Sequence, residues 1–222
     1  MEKGRRETML FSDRYEAGRR LAEILSHYQG QKPLILAVPR GGIPVACEIQ
    51  RVTEGRLDLV IPRKLSAPQN PELALGAVAP DGTVVLEERI VTKLGVSQEY
   101  IREEVARQLA EIQRRLQRFR GGRPFPSLAG EIVIVVDDGV ATGATLRAAL
   151  RMVRGKGARS LVLAVPVGPP ETIAALGREV DELVCLATPE NFYAVGQFYR
   201  DFTQTSDREV EALLQLVWDT KE

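Results

Sequence analysis

The chain has 222 residues, 44% of which are hydrophobic, and its 30 basic side chains balance its 30 acidic ones. This length is enough for one substantial hydrophobic core, and the balanced charge argues against bulk electrostatic binding of nucleic acid. The two cysteines have apolar neighbours and are expected to be reduced thiols. The N-terminus lacks an apolar signal core, and no apolar run is long enough to span a bilayer. Together these features predict a cytoplasmic protein.

Strand and helix patterns alternate along the chain. Ser12 and Asp13 are suited to cap a first helix, which Gly30 ends. The hydrophobic pattern then predicts strands at residues 34–38, 57–61, 73–78, 83–86, 132–136, 161–165 and 183–187, and helices at residues 43–49, 97–119, 146–153, 171–176 and 206–218. This order predicts an α/β fold, a doubly wound and mainly parallel sheet with helices on both faces.

No linker or low-complexity tract divides the sequence, so residues 1–222 are predicted to form a single domain. Within it, a long helix that begins at a Ser97 cap and ends near Phe119 forms an insertion over about residues 87–126. Apolar side chains recur on one face of this helix, from Ile101 to Phe119. Packing of this face on the chain's own sheet is the simpler interpretation, and a homo-oligomer built through the face is the alternative.

Residues 133–145 read VIVVDDGVATGAT and combine a buried strand, two adjacent carboxylates and a small-residue loop that opens a helix. Ligands of parallel sheets bind beyond the carboxyl ends of the strands, where Asp137 and Asp138 stand. Neighbouring carboxylates suit a vicinal diol such as that of ribose. Backbone N–H groups of the loop, at a helix N-terminus, can wrap a phosphate. The predicted phosphate-binding residues are Gly139, Ala141, Thr142, Gly143, Ala144 and Thr145.

This segment resembles the phosphoribosyl-pyrophosphate (PRPP) motif of type I phosphoribosyltransferases, in which apolar residues, two acids and a small or hydroxylated loop follow one another. Gly139 departs from the pattern, because many members carry an aliphatic residue there. From about Phe11 to the C-terminal helix, the chain is most similar to poorly characterised predicted phosphoribosyltransferases of bacteria and archaea. Three other interpretations fit this segment less well. A P-loop would need a lysine in the loop, and a dinucleotide-binding fingerprint would need another glycine spacing. An Asp-Asp pair that served only as a turn or helix cap would leave the small-residue loop unexplained.

A second strand-loop-helix segment reads AVPRGGIPVA at residues 37–46. Arg40 supplies a permanent charge with a planar fork of donors, and Gly41 and Gly42 let the backbone approach an anion. The resemblance implies that this loop receives pyrophosphate and that the Pro39–Arg40 peptide is the place for a non-proline cis bond. The alternative is an ordinary tight turn with a solvated arginine.

A third segment places Arg63 and Lys64 at the end of a predicted strand, before a polar, proline-punctuated stretch at residues 66–71. In the family that the chain resembles, a flexible loop at this place closes over the substrate and excludes water. The resemblance therefore implies that Arg63 and Lys64 are catalytic cations. The alternative is a solvated basic pair before a surface loop.

A fourth segment, PENFYAVGQFYRDF at residues 189–202, concentrates aromatic residues. It resembles the hood of purine-type phosphoribosyltransferases, so we expect a hood over about residues 189–205 together with the N-terminal segment. By the same resemblance, Tyr193 is expected to stack on an acceptor base, with Phe192 and Val195 beside it. The alternative is that these aromatic side chains only attach the hood to the core.

The resemblance implies a glycosyltransferase (pentosyltransferase) that moves 5-phosphoribosyl from PRPP to a nitrogenous base and releases pyrophosphate. Mg²⁺ is expected to enter on pyrophosphate and ribose oxygens, so no protein metal cage is predicted. The alternative is a PRPP-sensing regulator or an RNA-binding protein on the same fold. Its support is a basic run on the long helix, which is more often a solvated face. That run comprises Arg114, Arg115, Arg118, Arg120 and Arg123.

Overall fold

The computed structural model describes residues 10–219, so the expectation of an N-terminus without a signal sequence lies outside the described residues. The helices are α1 (Arg14–Ile24), α2 (Gly42–Thr53), α3 (Glu88–Leu94), α4 (Gln98–Arg120), α5 (Ala144–Gly155), α6 (Pro170–Gly177) and α7 (Asp207–Asp219), with 3₁₀ turns at Leu25–Tyr28 and Val195–Phe198. The strands are β1 (Leu34–Ala37), β2 (Arg56–Leu59), β3 (Arg63–Ala67), β4 (Asn70–Val78), β5 (Val84–Leu86), β6 (Ile132–Val136), β7 (Ser160–Val167) and β8 (Glu182–Ala187).

Five of these strands form a parallel sheet in the order β2-β1-β6-β7-β8. The chain builds outward from β1 to β2 on one side and from β6 through β7 to β8 on the other. Strand order therefore reverses between β1 and β6, and the carboxyl ends of these two strands face the crevice in which doubly wound sheets bind ligands.

Both faces of the parallel sheet are buried, which explains why β6 is a continuous apolar run rather than an alternating one. Ile134 and Val136 point into a core that includes side chains of α1, α2 and α7. Val133 and Val135 point into a second core with α5 and α6. The predicted doubly wound α/β fold with helices on both faces is confirmed.

Helix caps follow the predicted signals with one exception. Asp13 accepts a hydrogen bond from the Glu16 N–H at 2.7 Å, and Ser97 accepts one from Tyr100 at 3.1 Å. At α7, Ser206 accepts the Glu209 N–H at 3.1 Å, but the Glu209 carboxylate accepts from Tyr15 at 3.5 Å. Ser206 with Glu209 three residues later is the sequence pattern of a reciprocal capping box, but only half of the box forms, because Tyr15 of another helix contacts the carboxylate.

Strand β3 was not expected from the sequence. It pairs antiparallel with β4, which also forms the predicted hairpin with β5. Only Leu65 and Ala67 in β3 are buried, and the register with β4 is irregular around Ser66. Two apolar residues with a polar residue between them are too weak a pattern to identify a strand without its partner.

The predicted insertion contains two helices rather than one. Helix α3 ends at Gly95, whose φ of 61° is the left-handed conformation that glycine adopts most easily, and α4 follows after the Ser97 cap. On α4, Ile101, Ile112 and Phe119 are buried in the same core as Leu65 of β3. The apolar face of α4 is therefore covered by the chain's own small sheet. No helix within residues 10–219 has the length and apolarity needed to cross a membrane.

Candidate active site

The loop after β1 lies directly against the end of β6. Its Pro39–Arg40 peptide bond is cis, at the place that the family resemblance indicated. A Cβ atom on Gly41 would overlap the Asp138 carboxylate, and one on Gly42 would stand 2.7 Å from the carbonyl oxygen of Val136. Both glycines are therefore needed for close approach of the two loops, which brings the predicted pyrophosphate loop into contact with the acidic pair.

Asp138 is held by Arg14, a residue that the sequence did not single out. The Arg14 Nε donates to Asp138 Oδ2 at 2.7 Å, and only 10% and 15% of the two side chains are exposed. The Arg14 Nη1 donates to the carbonyl of Thr203 at 2.8 Å, and the guanidinium lies 3.9 Å from the centre of the Phe202 ring. A cation in the first turn of a helix opposes the helix dipole. This unfavourable position was the signal in the sequence that Arg14 pairs with a residue elsewhere in the fold.

Asp137 lies beside this pair, with its Oδ1 accepting the Asp138 N–H at 2.8 Å. Desolvation, reinforced by the neighbouring Asp138 charge, raises the pKa of Asp137 well above the usual 3.8. A bound cation would relieve both effects, so the pair fits a magnesium ion carried by substrate oxygens. Within residues 10–219 no group of three His, Cys, Asp or Glu side chains is arranged to hold a metal ion alone.

The raised pKa of Asp137 predicts a pH dependence for the ligand-free protein. The folded state keeps a proton that the unfolded state loses, so stability should fall as the pH rises above about 3.8 towards the raised pKa. An Asp137→Asn variant should lack this contribution. Urea denaturation of both proteins between about pH 5 and pH 8 should show the variant gaining stability relative to the wild type as the pH rises. A difference that does not change with pH would contradict the assignment.

The segment from Gly139 to Thr145 comprises the loop after the acidic pair and the first two residues of α5. Gly139 has φ 152°, and a Cβ there would lie 2.5 Å from Val195 Cγ1, which explains why this chain departs from the aliphatic residue found in many members. Thr172 donates to the carbonyl of Ala141 at 2.8 Å and supports the loop from α6. Among the described residues, no protein acceptor takes the N–H groups of residues 141–145. These donors are available to an anion at the start of α5.

A cleft of about 450 Å³ opens between the β1 loop and α4. We call it the β1 cleft, and its lining includes Arg14, Arg40, Gly41, Arg115, Asp138 and Thr205. The Arg40 Nη1 lies 3.3 Å from Asp207 Oδ1, and Asp207 also pairs with Arg118. Arg115 was expected only as part of a basic helix face, yet it reaches the cleft because α4 packs beside β3.

Arg63 and Lys64 do not line the β1 cleft in this structure. The Arg63 Nε donates to Gln108 Oε1 of α4 at 2.9 Å. Lys64 lies on its own hairpin, with Nζ 3.3 Å from the carbonyl of Glu72. Adjacent residues of a strand point to opposite faces, so the two cations can serve one site only if the hairpin moves and the strand conformation around them also changes. Their catalytic role stays a prediction that depends on such a movement.

The hood residues divide into an anchor and an exposed ring. Phe192 packs on Phe198, with ring centres 5.1 Å apart, whereas Tyr193 is 89% exposed. Gln197 Oε1 accepts the Tyr193 N–H at 2.8 Å and fixes the turn that presents this ring. Val195 rests on Gly139, so the segment lies over the phosphate loop. Of the three residues predicted to contact an acceptor, Tyr193 is the one with a free aromatic face.

The N-terminal segment pairs with the end of the hood. The N–H groups of Leu10 and Phe11 both donate to the carbonyl of Phe198, at 2.9 and 3.0 Å, and Phe11 packs on Tyr199. The Tyr199 hydroxyl donates to the Asp138 carbonyl at 2.7 Å. The hood is thereby connected to the acidic pair through a partly buried hydrogen bond.

The basic run on α4 is matched by carboxylates rather than left as a bare patch. Arg114 and Arg115 both pair with Glu111, and Arg120 pairs with Asp58. Arg118 pairs with Asp207 and Glu211. Arg123 stacks on Trp218 at 4.8 Å. Arg120 is buried, whereas exposed paired arginines such as Arg114 and Arg118 are typical of a solvated helix face.

Comparison with known proteins gives a consistent result. The family model for the phosphoribosyl transferase domain matches residues 12–203. Two curated relatives, from the CDC 1551 and H37Rv strains of Mycobacterium tuberculosis, bear provisional phosphoribosyl transferase names. Each is 48% identical to this chain over 205 residues. The alignment covers 92% of this chain and 46% of each relative. The chain therefore spans about half the length of the curated relatives that it matches.

A solved structure extends the match to three dimensions. The protein TT1426 from Thermus thermophilus is 44% identical, with a TM-score of 0.79, and the alignment covers 93% of this chain and 98% of that one. The resemblance first seen in the acidic pair and its loop is thereby confirmed over most of the sequence. The chain belongs to the phosphoribosyl transferase family.

Proposed function

We propose that the protein transfers the 5-phosphoribosyl group of PRPP to a nitrogenous base and releases pyrophosphate. The observation that carries the proposal is the contact between two anion-binding loops at the switch point of the sheet, with the acidic pair between them. Gly41 of one loop touches Asp138, and Gly139 of the other follows it directly. A donor with a phosphate at one end, a diol in the middle and a diphosphate at the other end fits this order.

Each part of PRPP has a proposed set of protein contacts. Asp137 and Asp138 hold the ribose diol, and the loop of residues 139–145 holds the 5-phosphate. Arg40, with the backbone of Gly41 and Gly42, holds the pyrophosphate. Magnesium, held by Asp137 and by substrate oxygens, would supply charge neutralisation for the diphosphate.

The reaction is a displacement at the anomeric carbon. A nitrogen of the acceptor forms a bond to this carbon as the carbon–oxygen bond to pyrophosphate breaks. The electron pair leaves with the pyrophosphate oxygen, and the acceptor nitrogen releases its proton to solvent. The transition state has oxocarbenium character, as in other glycosyl transfers. The protein positions the two reactants and stabilises the leaving charge through Arg40 and, after movement of the β3–β4 hairpin, through Arg63 and Lys64.

The acceptor is proposed to stack on Tyr193, since this ring is 89% exposed above the phosphate loop. Base–aromatic stacking contributes about 1–3 kcal/mol, so Tyr193→Ala should raise the acceptor KM roughly tenfold while PRPP affinity stays unchanged. Tyr193→Phe keeps the ring and should behave like the wild type.

The acceptor is identified by a screen of nucleobases and small amines for PRPP-dependent pyrophosphate release. Its KM is then measured for the wild type and both variants. PRPP binding without release from any base would favour the regulatory alternative instead.

A further inference from the structure

The inserted helix α4 brings a second guanidinium to the cleft that holds Arg40. Arg115 lines the β1 cleft together with Arg40, Gly41 and Asp138, and 31% of its side chain is exposed. The preceding residue, Arg114, is 63% exposed and does not line the cleft. Adjacent residues on a helix point about 100° apart, which separates one arginine at the site from one in solvent.

The carboxylates around the two cleft arginines are shared with other cations. Glu111 pairs with Arg115 and also with Arg114. Asp207 pairs with Arg40 and also with Arg118. The third carboxylate at the cleft, Asp138, is already held by the buried Arg14. Arg118 has a second carboxylate in Glu211, so the charge that is only partly compensated at the cleft is that of Arg115, which shares Glu111 with Arg114.

A further cation adds to this excess from behind α4. Arg63 lies between β3 and α4, where burial and the nearby charge of Arg115 lower the pKa of its guanidinium. Like charges that lie close together in a partly desolvated region repel each other, and binding of an anion between them lowers their electrostatic free energy. Arg63 can thus favour anion binding at Arg115 without lining the cleft itself.

We propose that Arg115 is a pyrophosphate-binding residue, so that the helical insertion completes the anion site begun by the β1 loop. The identity of the anion rests on the proposed function. Two guanidinium forks on different walls of a cleft suit an anion with two charged centres, since each fork can donate in parallel to one phosphoryl group. Ile101, Ile112 and Phe119 of α4 are buried in the core, and Arg115 lines the cleft with the β3–β4 hairpin where it stands in this structure.

The test is calorimetric titration of the full chain with inorganic pyrophosphate and magnesium chloride. Arg115→Gln should weaken pyrophosphate binding about tenfold to a hundredfold, because a charge-assisted contact is lost. Arg114→Gln is the matched control, since it removes the neighbouring guanidinium from the same Glu111 partner. It should bind like the wild type. Arg115→Lys should recover part of the affinity, and Arg115→Gln should change the binding of inorganic phosphate less than that of pyrophosphate.

The outcomes separate the inference from the proposed function. Unchanged pyrophosphate affinity in Arg115→Gln would overturn the inference. An equal loss of pyrophosphate affinity in Arg114→Gln would also overturn it, because the effect would then come from the overall positive charge of the helix and not from a contact with Arg115. If pyrophosphate binds through Arg115 but PRPP does not bind, the inference stands and the proposed function fails. If neither ligand binds the wild type, both fail. Thermal unfolding of each variant should match the wild type, because Arg115 makes only a partly exposed ion pair within one helix.

Discussion

Replacing Asp137 by asparagine is expected to abolish the thermal stabilisation that PRPP and magnesium confer on the protein. The variant removes a carboxylate that would hold the ribose diol and the cation, while keeping the size of the side chain. Asp137 is desolvated and stands beside Asp138, so removing its charge should not destabilise the ligand-free fold. The measurement is the shift in melting temperature at saturating PRPP and magnesium, compared with the ligand-free variant.

Asp137→Asn is a cleaner test than changing both acids. A double asparagine variant would also change the fold's stability, because Asp138 accepts from a buried Arg14 and cannot lose its charge without cost. Asp201→Asn is a suitable control, since Asp201 is an exposed acid whose carboxylate bonds only Thr203 nearby. A full ligand-induced shift in Asp137→Asn would remove Asp137 from the proposed site.

The largest loss of stability is expected from Arg14→Ala. The variant leaves the Asp138 carboxylate without its cation in a mostly buried position, and breaking a buried pair in this way costs about 3–5 kcal/mol. It also removes the donor to the Thr203 carbonyl and the contact with the Phe202 ring, which connect the end of the hood to α1. Urea denaturation should report the loss directly.

Arg20→Ala on the same helix is the matched control. Its side chain is 49% exposed and pairs with Glu16 at the surface, so its removal should change stability by less than about 1 kcal/mol. A loss below about 1 kcal/mol in Arg14→Ala as well would show that the Arg14–Asp138 pair is not the buried contact described above.

The local parts of the site could be predicted from the sequence because their patterns lie within short segments. The apolar run of β6, the two acids after it and the small-residue loop are contiguous, and each has a direct physical meaning. Gly41 and Gly42 were predicted to let the backbone approach an anion, and the structure shows that their lack of a side chain lets this loop approach Asp138 and Val136. Tyr193 could be placed in the hood by resemblance, but only its 89% exposure distinguishes it from the packed Phe192.

The parts that sequence could not give are contacts between distant segments. Arg14 and Asp138 are 124 residues apart, and nothing local in either segment names the other. Arg115 looked like one of several arginines on a solvated helix, and only the packing of α4 beside β3 turns it towards Arg40.

The sequence by itself thus determined the order of the strands and helices apart from β3 and α3, together with the two glycine-containing loops and the acidic pair, because these depend on hydrophobic period, glycine and neighbouring charge. Tertiary structure decided which cations meet those loops and which carboxylates hold them. It also decided that Arg63 and Lys64 face away from the β1 cleft. The physical reason is that side-chain partners across a fold are selected by packing geometry, which no single segment encodes.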